Sequence, residues 1–490
     1  MPLSKQRLVD IFGKERVFDD EKTLKEYAQD QSFSLKRMPD FVVFAERVEE
    51  VQQVVRLANE TLTPIIPYSS GLNFHGAALP DHGGIIVNLS RMNKILQMDD
   101  ENWSALVEPG VTFERLQGEL MKKGFRAMIP FGVAPKQSVL TSYLERNPVM
   151  AAPSFEYGNF LIMDTEIILA DGEVFRTGIW CTGGKPGGPM GPVRNVIFRL
   201  WTGAQGTLGI MTKMGININP FIEERKLYFI TFHELSEALE PLKRIQRKEI
   251  GMECFLLNRF NLAALLSEEW KVPESFPIDP NPSESFEHFK KTIPPWVLAV
   301  CINGVPRYPE EKIAYEEDAL KEVCYDLHVE LKESLPQVSG LNRILLNEIL
   351  YPWGILKKFN YRGSVHPLTF KSSLSCVADM EAVIKKVCDS EGYDASSIGA
   401  YLLPLERGRA VHCEFDLHCH LNDKKETLKV KNLWLKASET LINQGAYFDR
   451  PYGPWANMVY QRSGHYTTKL REIKREFDPQ GILNPGKLCF

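Results

Sequence analysis

Between Pro64 and Pro80 the chain reads P-I-I-P-Y-S-S-G-L-N-F-H-G-A-A-L-P, a β-prone apolar run that ends in a crowd of small residues. Ser69, Ser70, Gly71, Gly76, Ala77 and Ala78 leave the main chain open to close approach. Glycines there permit turns that aim several N–H groups inward, an arrangement that suits a diphosphate. Upstream, F-V-V-F (41–44) reads as a buried strand and V-E-E-V-Q-Q-V-V-R-L-A-N-E (48–60) as an amphipathic helix. A β-α-β unit therefore feeds the chain straight into the loop. The loop lacks G-x-G-x-x-G, and the strand I-I-V-N-L follows it where a dinucleotide fold would open a helix. Taken alone, it reads equally as a Gly/Ser surface loop.

What surrounds the loop narrows the choice. With 490 residues the chain exceeds one core, so two or three lobes are expected. A net charge of −5 with no basic stripe argues against a nucleic-acid partner. No apolar run is long enough to span a bilayer, and the start has no apolar signal region. Nine cysteines without C-x-x-C pairs read as reduced thiols, so a cytoplasmic location is expected.

Residues 1–35 carry Leu8, Ile11, Phe12 and Leu24 at helical spacing and are expected to be helical. From Ala105, A-L-V-E-P-G-V-T-F-E-R-L is a strand, a Pro109-Gly110 turn and a helix with Thr112 at its N-cap. Residues 151–160 form a second small-residue loop, holding Tyr157, Gly158 and Asn159. T-E-I-I-L-A-D-G-E-V-F-R-T-G is a hairpin turning at Asp171-Gly172. Gly203, Gly206 and Gly209 precede another strand. The middle of the chain, about 221–410, alternates strands such as W-V-L-A-V-C-I-N-G (296–304) with helices. A Pro/Ser/acid-rich excursion interrupts it at 272–286.

The segments P-Y-S-S-G-L-N-F-H-G-A-A-L-P, V-E-P-G-V-T, L-A-D-G-E-V-F-R-T-G and G-A-Q-G-T-L-G-I, with F-D-P-Q-G-I-L-N-P-G-K closing the chain, occur in that order. Together they resemble the FAD-linked vanillyl-alcohol oxidase / p-cresol methylhydroxylase family. The resemblance implies an α+β chain with a two-lobed FAD-binding domain at 1–220. It implies a substrate (cap) domain with an antiparallel sheet at 221–445 and a C-terminal return to the FAD domain at 446–490. It implies FAD on Tyr68, Ser69, Ser70, Gly71, Leu72, Asn73, His75, Gly76 and Ala77. The ring would lie near Pro109, Gly110, Tyr157, Gly158, Asn159, Gly203, Gly206, Gly209, Ile210, Asn484 and Lys487. Lys487 or Arg450 could supply positive charge at the flavin's pyrimidine edge. His75 could line the site or attach the flavin; dissociable FAD is favoured.

V-H-C-E-F-D-L-H-C-H-L (411–421) alternates strictly. His412, Glu414, Asp416, His418 and His420 would share one face of a strand, and apolar residues the other. The plain alternative is a half-exposed strand. Imidazoles beside carboxylates supply a base with a pKa near neutrality. They also suit a divalent cation, although no metal is assigned. In G-A-Y-F-D-R-P-Y-G-P-W (445–455), Tyr447 matches the tyrosine of the family's phenolate clamp, but Phe448 follows it and the arginine comes only at Arg450. Phe113 and Asn159 also depart from the phenol-oxidising pattern. The expected function is hydride transfer to flavin from a small alcohol, hydroxyacid or 4-alkylphenol-like aromatic. His418, His420, Glu414, Tyr447 and Arg450 are the candidate catalytic groups. Electrons would pass to a quinone or to a cytochrome or iron-sulfur protein, in a homodimer or hetero-oligomer. The alternative is an electron-transferring flavoprotein subunit with a degenerate pocket.

Overall fold

The computed structural model describes residues 3–34, 36–72, 75–150, 161–187, 196–336 and 338–490. Three main sheets organise them. The first holds β1 (Val17–Phe18), β2 (Phe41–Phe44), β3 (Ile65–Tyr68) and β4 (Ile85–Asn88) in the order β1-β2-β4-β3. β2, β4 and β3 run parallel, so the chain must cross over between them, and helix α1 (Val48–Thr61) makes the crossing. Val51, Val54, Val55 and Ala58 recur at helical spacing and bury against the sheet. The end of the chain returns to this sheet: Ile65 N–H donates to Ile482 O and Asn484 N–H to Ile65 O, each at 2.8 Å. The N-terminal stretch expected to be helical holds two short helices, Lys5–Phe12 and Glu21–Glu26, with β1 between them. Gly13, at φ +82°, ends the first and turns the chain toward β2.

The second sheet is antiparallel. It holds β5 (Ile95–Asp99), β6 (Ser104–Val107), β7 (Ile162–Ile168), β8 (Val174–Arg176) and β9 (Ile210–Asn217), ordered β5-β6-β9-β7-β8. β7 and β8 are the hairpin expected around Asp171-Gly172. Helix α2 (Phe113–Met121) follows β6, and the Thr112 hydroxyl accepts from Arg115 N–H at its start. The short helix α3 (Val139–Leu144) packs Val139 and Leu140 into the same core.

The third sheet has six antiparallel strands: β10 (Arg225–Phe232), β11 (Glu253–Asn258), β12 (Trp296–Asn303), β13 (Ser364–Ser372), β14 (Gly399–Leu405) and β15 (Ala410–Cys419). Their order is β10-β12-β11-β14-β15-β13. Four helices cover one face: α4 (Leu235–Arg247), α5 (Pro309–Asp326), α6 (Val377–Glu391) and α7 (Lys424–Asn443). Val411, Cys413, Phe415, Leu417 and Cys419 of β15 all point into that core, so the alternation read from the sequence is the real one. On the opposite face a second core covers β10, β12, β11 and much of β14, and the β15–β13 end is left for the site. Among the described residues no helix is long and apolar enough to cross a membrane.

Candidate active site

Two adjoining cavities, each of about 890 Å³ counted together with the solvent space at its mouth, lie where the three sheets meet. The first is a cleft built by the loop after β3. Tyr68, Ser69, Ser70, Gly71, Leu72 and Ala77 line one wall; Pro109 and the Gly203, Gly206 and Gly209 backbone line the other. The serine hydroxyls fix the loop to α3. Ser69 Oγ lies 2.7 Å from Thr141 Oγ1, and Ser70 Oγ accepts from Ser138 N–H at 3.1 Å. Among the described residues the N–H groups of Ser69, Ser70 and Gly71 have no hydrogen-bond partner. They are donors left for a ligand. Gly71 has φ +65°, and a Cβ on it would stand 1.8 Å from the Tyr68 hydroxyl. Gly206 has φ +74°, and its Cβ would meet Pro67 Cγ at 2.4 Å. Only glycine lets these two walls close to that width.

Several expected cofactor contacts lie elsewhere. Gly110 is pressed onto the Ser90–Met92 turn, its N–H donating to Met92 O at 2.7 Å. Ile210 is core beneath the first sheet. Gly76 N–H donates to Asp30 Oδ2 at 2.7 Å. Asn484 sits under the loop, its amide donating to Ala77 O (3.0 Å) and Gln205 O (2.6 Å). It therefore positions the cradle while its buried carbonyl oxygen has no partner. Lys487 is paired with Asp81 at 2.7 Å and is not among the residues lining either cavity. Asn73, Tyr157, Gly158 and Asn159 lie outside the described residues.

The second, inner cavity shares Leu72, Gln137 and Glu145 with the cleft. His412, Glu414 and Asp416 reach it from β15, Tyr401 from β14, and His75 from the small-residue loop. Arg450 and Tyr452 come from the C-terminal return. Lys358, on the 3₁₀ segment Gly354–Tyr361, donates to Glu414 Oε1 at 2.9 Å and to Asp416 Oδ2 at 2.8 Å. Asn261 adds a bond to Asp416 Oδ2 at 3.2 Å. Burial alone would push the Lys358 ammonium down; Asp416 and Glu414 overcome it and hold it well above its usual value. Burial likewise acts to raise Glu414, but Lys358 prevails and holds it below the usual range. Asp416 is raised, because burial outweighs Lys358 there.

The imidazoles are neutral. Burial and then Arg450 push both His412 and His75 down to about 3. His412 Nε2 stands 4.0 Å from Glu414 Oε2. Arg450 bonds to Asn147 Oδ1 and faces Glu145, whose carboxyl burial pushes up to about 7 against the pull of Arg450 and Arg146. Aromatic and aliphatic side chains close the remaining wall, with Phe131 and Tyr401 rings 4.7 Å apart and Leu356, Phe359 and Val365 beside them.

Of the expected catalytic groups, the inner cavity gathers Glu414 and Arg450. His418 is fully buried beyond it, against Phe260 (4.7 Å) and Tyr361 (5.4 Å). His420 lines a separate surface groove. A strand advances about 3.3 Å per residue, so His418 stands about 20 Å along β15 from His412 on the same face. Sharing a face is not sharing a site. Tyr447 is 61% exposed at the surface, its backbone paired with Lys371; of the tyrosines in the C-terminal return, Tyr452 lines the cavity. Among the described residues no three His, Cys, Asp or Glu side chains converge to hold a metal. His412 and Asp416 were visible in the same alternation as Glu414. Lys358 carries no sequence signal and is brought in by the fold.

Comparison with known proteins agrees with this geometry. Residues 39–178 match the family model described as an FAD binding domain, and 456–488 match the FAD linked oxidases' C-terminal domain. The chain is 34% identical over 476 residues to the 4-cresol dehydrogenase [hydroxylating] flavoprotein subunit of Pseudomonas putida, covering 92% of this chain and 87% of that one. The chain belongs to the p-cresol-methylhydroxylase-type FAD-linked oxidoreductases. Glycolate oxidase subunit GlcD of Bacillus subtilis is 24% identical over 502 residues, 99% of this oxidoreductase and 96% of that protein. The structure of substrate-bound p-cresol methylhydroxylase superposes with a TM-score of 0.80 at 22% identity, covering 99% of this chain and 96% of that one. That of 4-ethylphenol oxidase from Gulosibacter chungangensis does so at 0.81 and 22%, covering 98% and 95%. The oxidoreductase is thus an FAD enzyme, and its glycine-walled cleft with unpaired N–H donors fits the cofactor.

Proposed function

We propose that residues 1–220 and 446–490 hold FAD in the outer cleft, while 221–445 shape the inner cavity around a small, uncharged aromatic alcohol or phenol. The observation that carries it is the pairing of His412–Glu414 with Arg450 in an aromatic-walled cavity continuous with the cofactor cleft. The N–H groups of Ser69, Ser70 and Gly71 would hold the diphosphate. Bound FAD supplies the two-electron acceptor for a hydride. The chain supplies the rest. The substrate hydroxyl gives its proton to the His412–Glu414 pair, a neutral imidazole beside an ionised carboxylate. Arg450 stabilises the negative charge left on oxygen. One proton and one hydride leave the substrate, and its oxidised form departs.

A hydroxyacid fits less well. Its carboxylate would need a cation besides the Arg450 that serves the substrate oxygen, and Lys358 is already held by two carboxylates. The relative at 34% identity bears a cresol name, against 24% for the glycolate one. That relative is also a flavoprotein subunit by name, so a protein electron acceptor such as a cytochrome is part of the proposal.

The test is anaerobic flavin reduction by 4-hydroxybenzyl alcohol, glycolate and D-lactate. The aromatic alcohol should reduce the flavin at least about tenfold faster in kcat/KM terms. Faster reduction by a hydroxyacid refutes the substrate. Reduction by a partner protein and by no small molecule favours an electron-transferring subunit instead.

A further inference from the structure

The outer cleft and the inner cavity meet at three side chains, Leu72, Gln137 and Glu145, which line both. Among the described residues Glu145 is the one charged side chain on the cleft wall. A cleft fit for an anionic cofactor thus carries a lone acid, at the point where an occupant of the cleft meets an occupant of the cavity.

The backbone pins this carboxyl. Glu145 follows α3, and its N–H donates to Thr141 O at 2.9 Å. Arg146 then takes φ +56°, a left-handed conformation that carries the chain out of the helix, and its guanidinium donates to Asp449 O at 2.6 Å. Asn147 closes the turn. Its N–H donates to Ser142 O at 3.3 Å, its amide to Ser142 Oγ at 3.1 Å, and its Oδ1 accepts from Arg450. Glu145 itself is 7% exposed, and its Oε2 has no hydrogen-bond partner among the described residues.

Two cations act on it. Arg450 of the C-terminal return and Arg146 of the same turn both favour the ionised form. Asp449 and Lys371 are paired with each other and lie close to both arginines. Across the inner cavity stand His412, Glu414 and Asp416 of β15, Lys358 and His75. Tyr68 in the cleft and Tyr401 in the cavity are raised by burial and keep their protons. At Glu145 burial outweighs the two arginines, so the carboxyl titrates at about 7. Ionised, it opposes negative charge arriving on either side of the junction. A group whose proton affinity rises when electrons arrive takes up a proton with them.

We propose that Glu145 is the redox-linked proton site of this oxidoreductase: its carboxylate takes one proton from water as two electrons enter the cofactor, and returns it to water when they leave. With that proton on, Arg450 is unopposed by Glu145 and serves the substrate oxygen. The proposal rests on FAD lying in the outer cleft, as proposed above, and on no particular substrate.

The test uses no substrate. Midpoint potentials of the holoenzyme and of Glu145→Gln are measured by dithionite titration against reference dyes. The two should coincide below about pH 6 and part above about pH 7, because the variant mimics the protonated carboxyl. There the wild type should fall more steeply by one proton, a further tenfold in the equilibrium per pH unit, or about 30 mV for a two-electron couple. Glu145→Asp keeps a titratable group and should keep the additional slope. Equal slopes in wild type and Glu145→Gln overturn the proposal. So does a constant offset at every pH, which a merely structural role would give. At about pH 8 the reduced-minus-oxidised infrared spectrum of the unmodified holoenzyme should gain a protonated-carboxyl band that Glu145→Gln lacks. Absence of that band in the wild type overturns the proposal even if neither variant holds flavin. The placement of FAD is tested separately by the flavin content of Gly206→Ala. Full content removes the placement; equal slopes beside a depleted Gly206→Ala remove Glu145 alone.

Discussion

Lys358 is the group on which the inner cavity's charge balance turns. Its side chain is 6% exposed and bridges Glu414 (21%) and Asp416 (0%) at 2.9 and 2.8 Å. Lys358→Met keeps most of the packing volume but leaves two carboxylates facing each other, with Asn261 the remaining donor to Asp416. Breaking a buried ion pair from one side costs about 3–5 kcal/mol. The sign with pH follows from the shifts. In the wild type Glu414 lies below its usual value, so its stabilising contribution is present at neutral pH and is lost as pH falls through the folded value. Asp416 is raised to about 6, so its contribution is present in acid and fades as pH rises through that value. Without Lys358 both carboxylates are raised, and protonation relieves the repulsion at about 1.4 kcal/mol per pH unit for each proton taken up. Urea unfolding followed by circular dichroism should therefore show a deficit of about 3–5 kcal/mol at pH 8 that shrinks to about 1–2 at pH 5. Lys358→Met combined with Glu414→Gln and Asp416→Asn should recover most of the loss. A deficit independent of pH, or under about 1 kcal/mol at pH 8, would falsify the charge balance drawn here.

Glu414→Gln should slow anaerobic flavin reduction by about 10²- to 10⁴-fold while FAD content stays at wild-type level, measured by stopped-flow absorbance. Equal loss of FAD and rate would assign Glu414 to cofactor binding instead. Gly206→Ala forces a Cβ to 2.4 Å from Pro67 Cγ at φ +74°, so purified protein should carry less flavin per chain, read from its visible absorbance; full yellow colour contradicts the two-wall cradle. His418→Ala should leave the reduction rate within about threefold but lower stability by about 1–3 kcal/mol, since the ring fills space against Phe260 and touches no cavity. A hundredfold slower reduction would return His418 to the catalytic set.

The sequence by itself determined the local pieces. Small residues at 69–78 dictated a close-approach loop, period 3.6 dictated α1, and period 2 over 411–421 dictated a two-faced strand, because each depends only on neighbours along the chain. It also carried the family, through motifs kept in order over most of the 490 residues. Which stretch of β15 meets substrate was decided by the tertiary structure. The alternation of His412, Glu414, Asp416, His418 and His420 is uniform, and only the packing of Phe260 and Tyr361 over His418 separates cavity from core. Likewise Lys358 reaches Glu414 across 56 residues of sequence, Lys487 pairs with Asp81, and Tyr452 rather than Tyr447 lines the cavity. Periodicity reports the face a side chain occupies; the partner it finds there is set by chain folded back from far away.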